Sequence, residues 1–226
     1  MPQIGKLYLV STPIGNLEDI TLRALRVLKE VDLIAAEDIR HTLNLLKHYQ
    51  INNKITSYHD FNKAQKAPQL INLLKQGRSL AVVSDAGTPG ISDPCYFLVK
   101  LAIKENIEIV PIPGATAFVS ALISSGFPTD RFVFEGFLPT KKGKRKRRLE
   151  ELANEKRTII FYESPHRLLK SLSQLKEVLG DRNIVLAREL TKKFEEIKRG
   201  KVSQLIDSFS QKKIKGEIVI LVEGKR

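Results

Sequence analysis

The sequence predicts an α/β protein built as two successive units, and three observations carry that prediction. Short apolar, β-branched runs alternate with segments of helical periodicity along the whole chain. The alternation restarts after a turn at Gly126–Pro128. The charge divides at the same place: residues 1–126 carry thirteen Lys and Arg against eleven Asp and Glu, and residues 127–226 carry twenty-five against fourteen. With 226 residues, each half is large enough to bury a core of its own, so the expected domains are 1–126 and 127–226.

In the first half, LYLV (7–10) reads as a strand followed by the polar loop STPIGN (11–16). A helix is expected to start near Asn16 as N-cap, with Leu22, Leu25 and Leu28 on one face. DLIAAE is a strand, HTLNLLKHY a helix, KITSY a strand and PQLINLLKQG a helix closed by Gly77. LAVVS (80–84) is uninterrupted apolar, as expected where both faces of a parallel sheet are covered. YFLVKLAIKEN is a helix, IEIVPI a strand and TAFVSALISSG a helix ending at Gly126. In the second half, RFVFEGFL, TIIFY, NIVLARE and GEIVILVEG read as strands. GKRKRRLEELANEK, RLLKSLSQLKEVLG and KVSQLIDSF read as helices.

Composition excludes several classes. The chain opens MPQIGKLYLV and its apolar stretches are short, so the expectation is a cytoplasmic protein without signal peptide or membrane span. The lone Cys95 makes neither an internal disulfide nor a cysteine-rich zinc site, and His41, His48, His59 and His166 have no ligand spacing, so no metal is expected. The loop SDAGTPGISDP (84–94) follows a buried strand, where open α/β sheets bind ligands, and Asp85 there can accept from a ribose hydroxyl or an ammonium. It has neither the GxxxxGK of a P-loop nor the GxGxxG of dinucleotide folds. PIPGATA (111–117) and STPIGN occupy the same kind of position, and in a parallel sheet the three loops converge. KKGKRKRR (141–148) has seven basic residues in eight, a density suited to phosphates. The net charge of +13, concentrated in the second half, points to a polyanionic partner.

STPIGNLEDI (11–20), AEDIRHT (36–42), SDAGTPGISDP (84–94), PGATA (113–117), EGFLP (135–139), FYESPHR (161–167), REL (188–190) and GE (216–217) occur in this order over essentially the whole chain. Together they resemble the ribosomal RNA small subunit methyltransferase I family, a branch of the tetrapyrrole-methylase-like (class III) S-adenosylmethionine-dependent methyltransferases. Two departures are visible: Cys95 stands where the family usually continues SDPG, and Ile39 where it usually reads EDTR. Cys95 is expected to alter packing and not a ligand contact.

The resemblance implies two α/β domains with the cofactor cleft between them, and a homodimer that methylates the ribose 2′-hydroxyl of a decoding-centre cytidine in 16S ribosomal RNA. It implies S-adenosyl-L-methionine on Ile14, Asp85, Gly87, Ile91, Ser92, Asp93, Thr116 and Ala117, and on Phe161, Tyr162, Ala187, Gly216, Glu217 and Ile218. Aromatic faces at Phe161 and Tyr162 suit an adenine or a base. A ribose hydroxyl is weakly acidic, so a general base or a cation beside the developing oxyanion assists. His166, Glu163 and Glu189 are the catalytic candidates, drawn from a set that also holds Glu37, Asp38, Arg40, His41 and Arg167. RNA contacts are expected from Arg40, Lys141, Lys142, Lys144, Arg145, Lys146, Arg147, Arg148 and Arg167 on a 30S partner. The alternatives are a tetrapyrrole (precorrin or uroporphyrinogen) methyltransferase, a non-catalytic RNA-binding ribosome-assembly factor and, more distantly, a phosphate-handling hydrolase.

Overall fold

In the computed structural model, which describes residues 4–211 and 213–225, the first strand is β1 (Leu7–Val10). The chain leaves it through a loop and one 3-10 turn (Leu17–Asp19), whose Glu18 amide donates to the Asn16 side chain at 3.1 Å. Helix α1 (Leu22–Glu30) comes next and is capped by Thr21, which accepts from the Ala24 amide at 3.1 Å. The single helix expected from Asn16 is therefore a 3-10 turn and a separate helix. The expected leucine face is corrected too. Ala24, Val27 and Leu28 turn inwards while Leu22 is 86% exposed. Each three-residue step falls about 60° short of a full turn, so Leu22 and Leu28 stand on different faces.

The alternation continues with β2 (Leu33–Ala36), α2 (Ile39–His48), β3 (Ile55–Ser57), α3 (Lys63–Lys75), β4 (Leu80–Val83), α4 (Cys95–Lys104) and β5 (Ile109–Ile112). Helix α3 starts five residues before the expected PQL segment and carries Pro68 in its interior. A proline there removes a backbone donor, and the burial of Ala67, Leu70, Ile71 and Leu74 along one face offsets that loss. The five strands are all parallel, in the order β3-β2-β4-β1-β5. One face of this sheet packs Leu7, Leu80 and Val82 against Leu70 and Leu98, and the other packs Val10, Ile34 and Val83 against Leu28 and Leu46. Central β4 is buried at every position, as its unbroken apolar run required.

A second compact unit begins at Ala117. Its first element, α5 (Ala117–Ser125), packs on two strands of the second sheet, β7 (Thr158–Glu163) and β10 (Ile218–Val222). The changeover expected after Gly126 lies one helix further along the chain than this. The remaining elements are β6 (Phe132–Phe137), α6 (Lys142–Glu151), α7 (Leu168–Leu179), β8 (Asn183–Arg188), β9 (Glu196–Lys201) and α8 (Val202–Ser210). The sheet order is β6-β7-β10-β8-β9, with β6 parallel to β7 and the other pairs antiparallel. Strand β9, sequence EIKRGK, is absent from the sequence-based expectation because it has no apolar alternation. It is an edge strand, and lysine or arginine on an edge discourages pairing with another chain. Leu149, Ile159, Phe161, Leu172, Leu186 and Ile220 belong to this unit's core. Among the described residues no helix is long and apolar enough to cross a membrane.

Candidate functional site

In the first unit, β4, β1 and β5 are parallel neighbours, so the loops at their carboxyl ends emerge side by side. They are stitched together. Thr12 and Gly87 exchange backbone hydrogen bonds at 2.9 and 3.1 Å, forming an isolated antiparallel bridge between the first loop and the second. Ser11 Oγ lies 2.9 Å from Thr88 Oγ1, which lies 2.7 Å from Thr116 Oγ1 and donates to the Ala115 carbonyl at 3.1 Å. The convergence inferred from three strand-end loops is therefore present as a chain of hydroxyls. Ile14 is buried, and its Cγ2 lies 3.2 Å from where a Cβ on Gly87 would stand.

A cluster of carboxylates sits beside that chain. Asp85 accepts from the Asp38 amide at 2.8 Å, and its own amide donates to Glu37 Oε2 at 3.3 Å. Burial pushes the Glu37 carboxyl above its usual range, with Asp85, Asp93 and Asp60 adding to the rise. Asp93 accepts from the Gly90 and Cys95 amides at 2.7 and 2.8 Å, yet burial still raises it. Ser92 beside it holds a φ of 65°, and Ile91 is half-buried. Cys95 is buried, which pushes its thiol up to about 12, while its amide holds Asp93; the departure from the family pattern acts on packing. Asp38 caps α2 and is held well below the usual carboxylate range by its hydrogen bond from Arg40, so Arg40 is already paired, at 2.6 Å.

In the second unit, Phe161 and Tyr162 alternate across β7. The Phe161 ring is fully buried in the core, so the aromatic face expected of it is not available. Tyr162 points the other way, 5.0 Å from the Phe134 ring and 5.5 Å from Phe137, while Phe118 of α5 stacks on Phe134 at 4.5 Å. Burial raises the Tyr162 hydroxyl. Phe118, Phe134 and Phe137 were not singled out from the sequence. Phe134 and Phe137 are an odd number of residues apart, and what reunites them is the register shift between them, at Gly136 with φ 62°. Across the sheet, Val219 of β10 pairs with Tyr162 on one side and with buried Ala187 on the other, and Ile218 is its chain neighbour.

Just before β10, Gly216 has φ 91°, and a Cβ there would lie 2.3 Å from the Glu189 side chain. Only glycine admits that approach. Glu189 Oε1 accepts from the Glu217 amide at 3.1 Å and from Lys192 Nζ at 3.0 Å, and Lys192 also reaches Glu217 at 3.0 Å. Burial opposes ionisation of Glu189, but the Lys192 and Glu217 hydrogen bonds outweigh it and its carboxyl lies below the usual range. Lys192 carries this network and has no signal in the sequence beyond its place after REL.

The three catalytic candidates are in different situations. Glu163 is buried, pairs with Arg167 at 2.7 Å, accepts from the Ser164 amide at 2.7 Å and takes a hydrogen bond from Ser171. It anchors the turn into α7. His166 is exposed on that turn, and no hydrogen bond among the described residues joins it to Glu163 or Glu189. The basic run is divided as well. Arg145 is buried, donating to Gln174 and to the Thr140 carbonyl, which corrects its expected role as a phosphate contact. Arg148 pairs with Glu135 and Glu151, Lys146 with Glu177, and Arg167 with Glu163. Lys141, Lys142, Lys144 and Arg147 are exposed and unpaired among the described residues. No group of three or more His, Cys, Asp or Glu among the described residues could hold a metal ion.

A model of the tetrapyrrole (corrin/porphyrin) methylases matches residues 6–206. The chain is 54% identical over 220 residues to ribosomal RNA small subunit methyltransferase I of Halalkalibacterium halodurans, spanning 97% of this chain and 76% of that one. It is 50% identical over 222 residues to the protein of the same name from Thermotoga maritima, spanning 98% of this chain and 100% of that one. Among solved structures, a cobalt precorrin-4 methyltransferase superposes with a TM-score of 0.72 at 20% identity, over 96% of this chain and 94% of that one. The uroporphyrin-III C-methyltransferase of Thermus thermophilus complexed with S-adenosyl homocysteine gives 0.66 at 18% identity, over 98% of each chain. At such identities the structural likeness speaks for the fold alone.

Proposed function

Since this chain belongs to the tetrapyrrole (corrin/porphyrin) methylase family and, within it, to the ribosomal RNA small subunit methyltransferase I family, we propose that it methylates small-subunit ribosomal RNA. In full, the donor is S-adenosyl-L-methionine and the acceptor is the ribose 2′-hydroxyl of a decoding-centre cytidine in 16S RNA. The enzyme acts as a homodimer in the cytoplasm on the 30S subunit. The observation that carries this reading is an identity of one half or more, sustained over nearly the whole chain, with proteins of that name.

The residues fit a cationic donor. Glu37 and Asp93 are carboxylates raised by burial, so a positive centre nearby relieves their desolvation. When bound, the donor supplies an electrophilic methyl and its own leaving group. Ile14, Gly87, Ile91, Ser92, Asp93 and Thr116 of the first unit hold it together with Ala117, and the oxygen of Asp85 not engaged by Asp38 accepts from its polar groups. Tyr162 with Phe134 and Phe137 offers the aromatic surface for adenine, and Ala187 and Gly216 to Ile218 complete that side. What remains for the protein is to orient the acceptor hydroxyl and receive its proton. Of the three candidates, Glu163 and Glu189 are occupied by ion pairs, so His166 is assigned the proton, on a ring nitrogen. Lys141, Lys142, Lys144 and Arg147 take phosphates.

One incubation tests the reading. Labelled donor is offered with 30S subunits, naked 16S RNA and a porphyrinogen in parallel, and label is expected in RNA ribose. Label only in the porphyrinogen transfers the enzyme to tetrapyrrole chemistry. Tight RNA binding with no label anywhere makes it an assembly factor. His166→Ala is expected to abolish transfer while donor affinity is kept, and unchanged turnover removes His166 as the base.

A further inference from the structure

The loop after β8 holds an aromatic ring in water at a fixed place. Phe194 is 66% exposed, although an apolar ring of its size gains from burial. The loop around it is tied down. The Thr191 amide donates to the Glu195 carboxylate at 2.6 Å, the Lys192 amide to the Glu189 carbonyl at 3.0 Å and the Glu195 amide to the Lys192 carbonyl at 3.0 Å. Glu189 and Thr191 adopt φ values of 53° and 66°, left-handed conformations that residues with side chains seldom take.

One cation stands over the ring, and two more lie on a loop tied to the same strand end. Lys193 Nζ lies 5.8 Å from its centroid. Lys213 and Lys215 are exposed on the loop before β10, which is tied to the same place. Arg188 donates to the Lys215 carbonyl at 3.1 Å, and the Glu189 amide to the Glu217 carbonyl at 3.0 Å. Lys193, Lys213 and Lys215 have no carboxylate partner among the described residues. Phe61 is more exposed still, but the nearby Lys63 is already paired with Asp60 at 2.7 Å, whereas Lys193 has no such partner among the described residues.

We propose that Phe194 is a stacking platform for an unpaired base of single-stranded RNA, with Lys193, Lys213 and Lys215 on the flanking phosphates. An exposed aromatic ring among unpaired cations is the pattern that binds single strands, because every base has a stacking face and every nucleotide a charge. The Lys192–Glu217 ion pair ties this loop to the segment assigned above to the donor. The inference rests on the RNA reading of the proposed function.

The sequence contains no tryptophan, so Phe194→Trp creates a single fluorescent reporter at this place. A single-stranded fragment of 16S RNA is expected to quench its emission saturably, and a duplex of the same sequence to leave it bright. Phe194→Ala is expected to weaken single-strand binding roughly five- to 150-fold, with the salt dependence unchanged and donor affinity intact. Equal quenching by duplex, or full affinity of Phe194→Ala with an unquenched Phe194→Trp, overturns the stacking site while leaving the RNA reading in place. Failure of the unaltered protein to bind RNA at all overturns both.

Discussion

The two units close their strand-end loops with different chemistry. The first joins the loops after β1, β4 and β5 to one another through neutral groups: a backbone bridge from Thr12 to Gly87 and the hydroxyls of Ser11, Thr88 and Thr116. The second uses charge: Glu163 with Arg167, Glu189 and Glu217 with Lys192, and Arg188 with Glu196. In the first unit the carboxyls of Glu37 and Asp93 are left without a cationic partner and are raised, chiefly by burial. In the second, most carboxylates near the surface are spent on holding cations in place. Pairing thus decides which cations are open to a partner: in α6, Lys146 and Arg148 are spent on carboxylates while Lys142, Lys144 and Arg147 are not.

The sharpest test of this contrast is the cost of deleting each kind of tie. Glu163→Ala strands a partly buried arginine, Ser171 and the Ser164 amide, and is expected to cost about 3 kcal/mol. Thr88→Val breaks only neutral hydrogen bonds and is expected to cost about 1 kcal/mol. Urea unfolding measures both, and equal losses erase the distinction between the units.

A second prediction concerns the cations left over. Replacing Lys141, Lys142, Lys144 and Arg147 with Ser is expected to flatten the log-log salt dependence of RNA binding by up to about 3, at about 0.7 for each phosphate lost on a single strand. The charge-neutral replacement of Lys146 and Glu177 by Ser is expected to leave that slope nearly unaltered, since the two already compensate each other at 2.7 Å. Identical slopes for the two variants mean that pairing does not decide which cations meet RNA.

The smallest effect lies in the first unit. Burial holds Glu37 above the usual carboxylate range, so the folded protein binds that proton more tightly than the unfolded chain. Ionisation therefore costs stability above the raised pKa and nothing in acid, where both states are protonated. Glu37→Gln is expected to raise stability by a few tenths of a kcal/mol at neutral pH, to lose that gain in acid, and to weaken binding of a cationic donor. A gain that persists in acid removes the electrostatic explanation.

Much of this was legible along the chain. LYLV and LAVVS announce buried parallel strands, and once the sheet is parallel the loops after β1, β4 and β5 have to meet. The edge strand β9 was not legible, because EIKRGK carries no alternation and forms by pairing with β8. Nor was the placement of α5, whose apolar residues suit either unit until β7 and β10 are there to receive them. The choice between Phe161 and Tyr162 required knowing which face of β7 the helices cover.

Local periodicity and composition, which act over a turn of helix or a few strand residues, were enough for most element types, the division of charge and the convergence of three strand-end loops. Which charges are spent was settled elsewhere. Arg145 and Arg147 belong to the same basic run, yet one is buried against Gln174 and the other is open to solvent. That difference comes from partners twenty-nine residues away, brought close by the packing of α6 on α7. The same holds for Gly216 and Glu189: a left-handed glycine and a carboxylate acquire a shared purpose only when two strands of one sheet set them in contact.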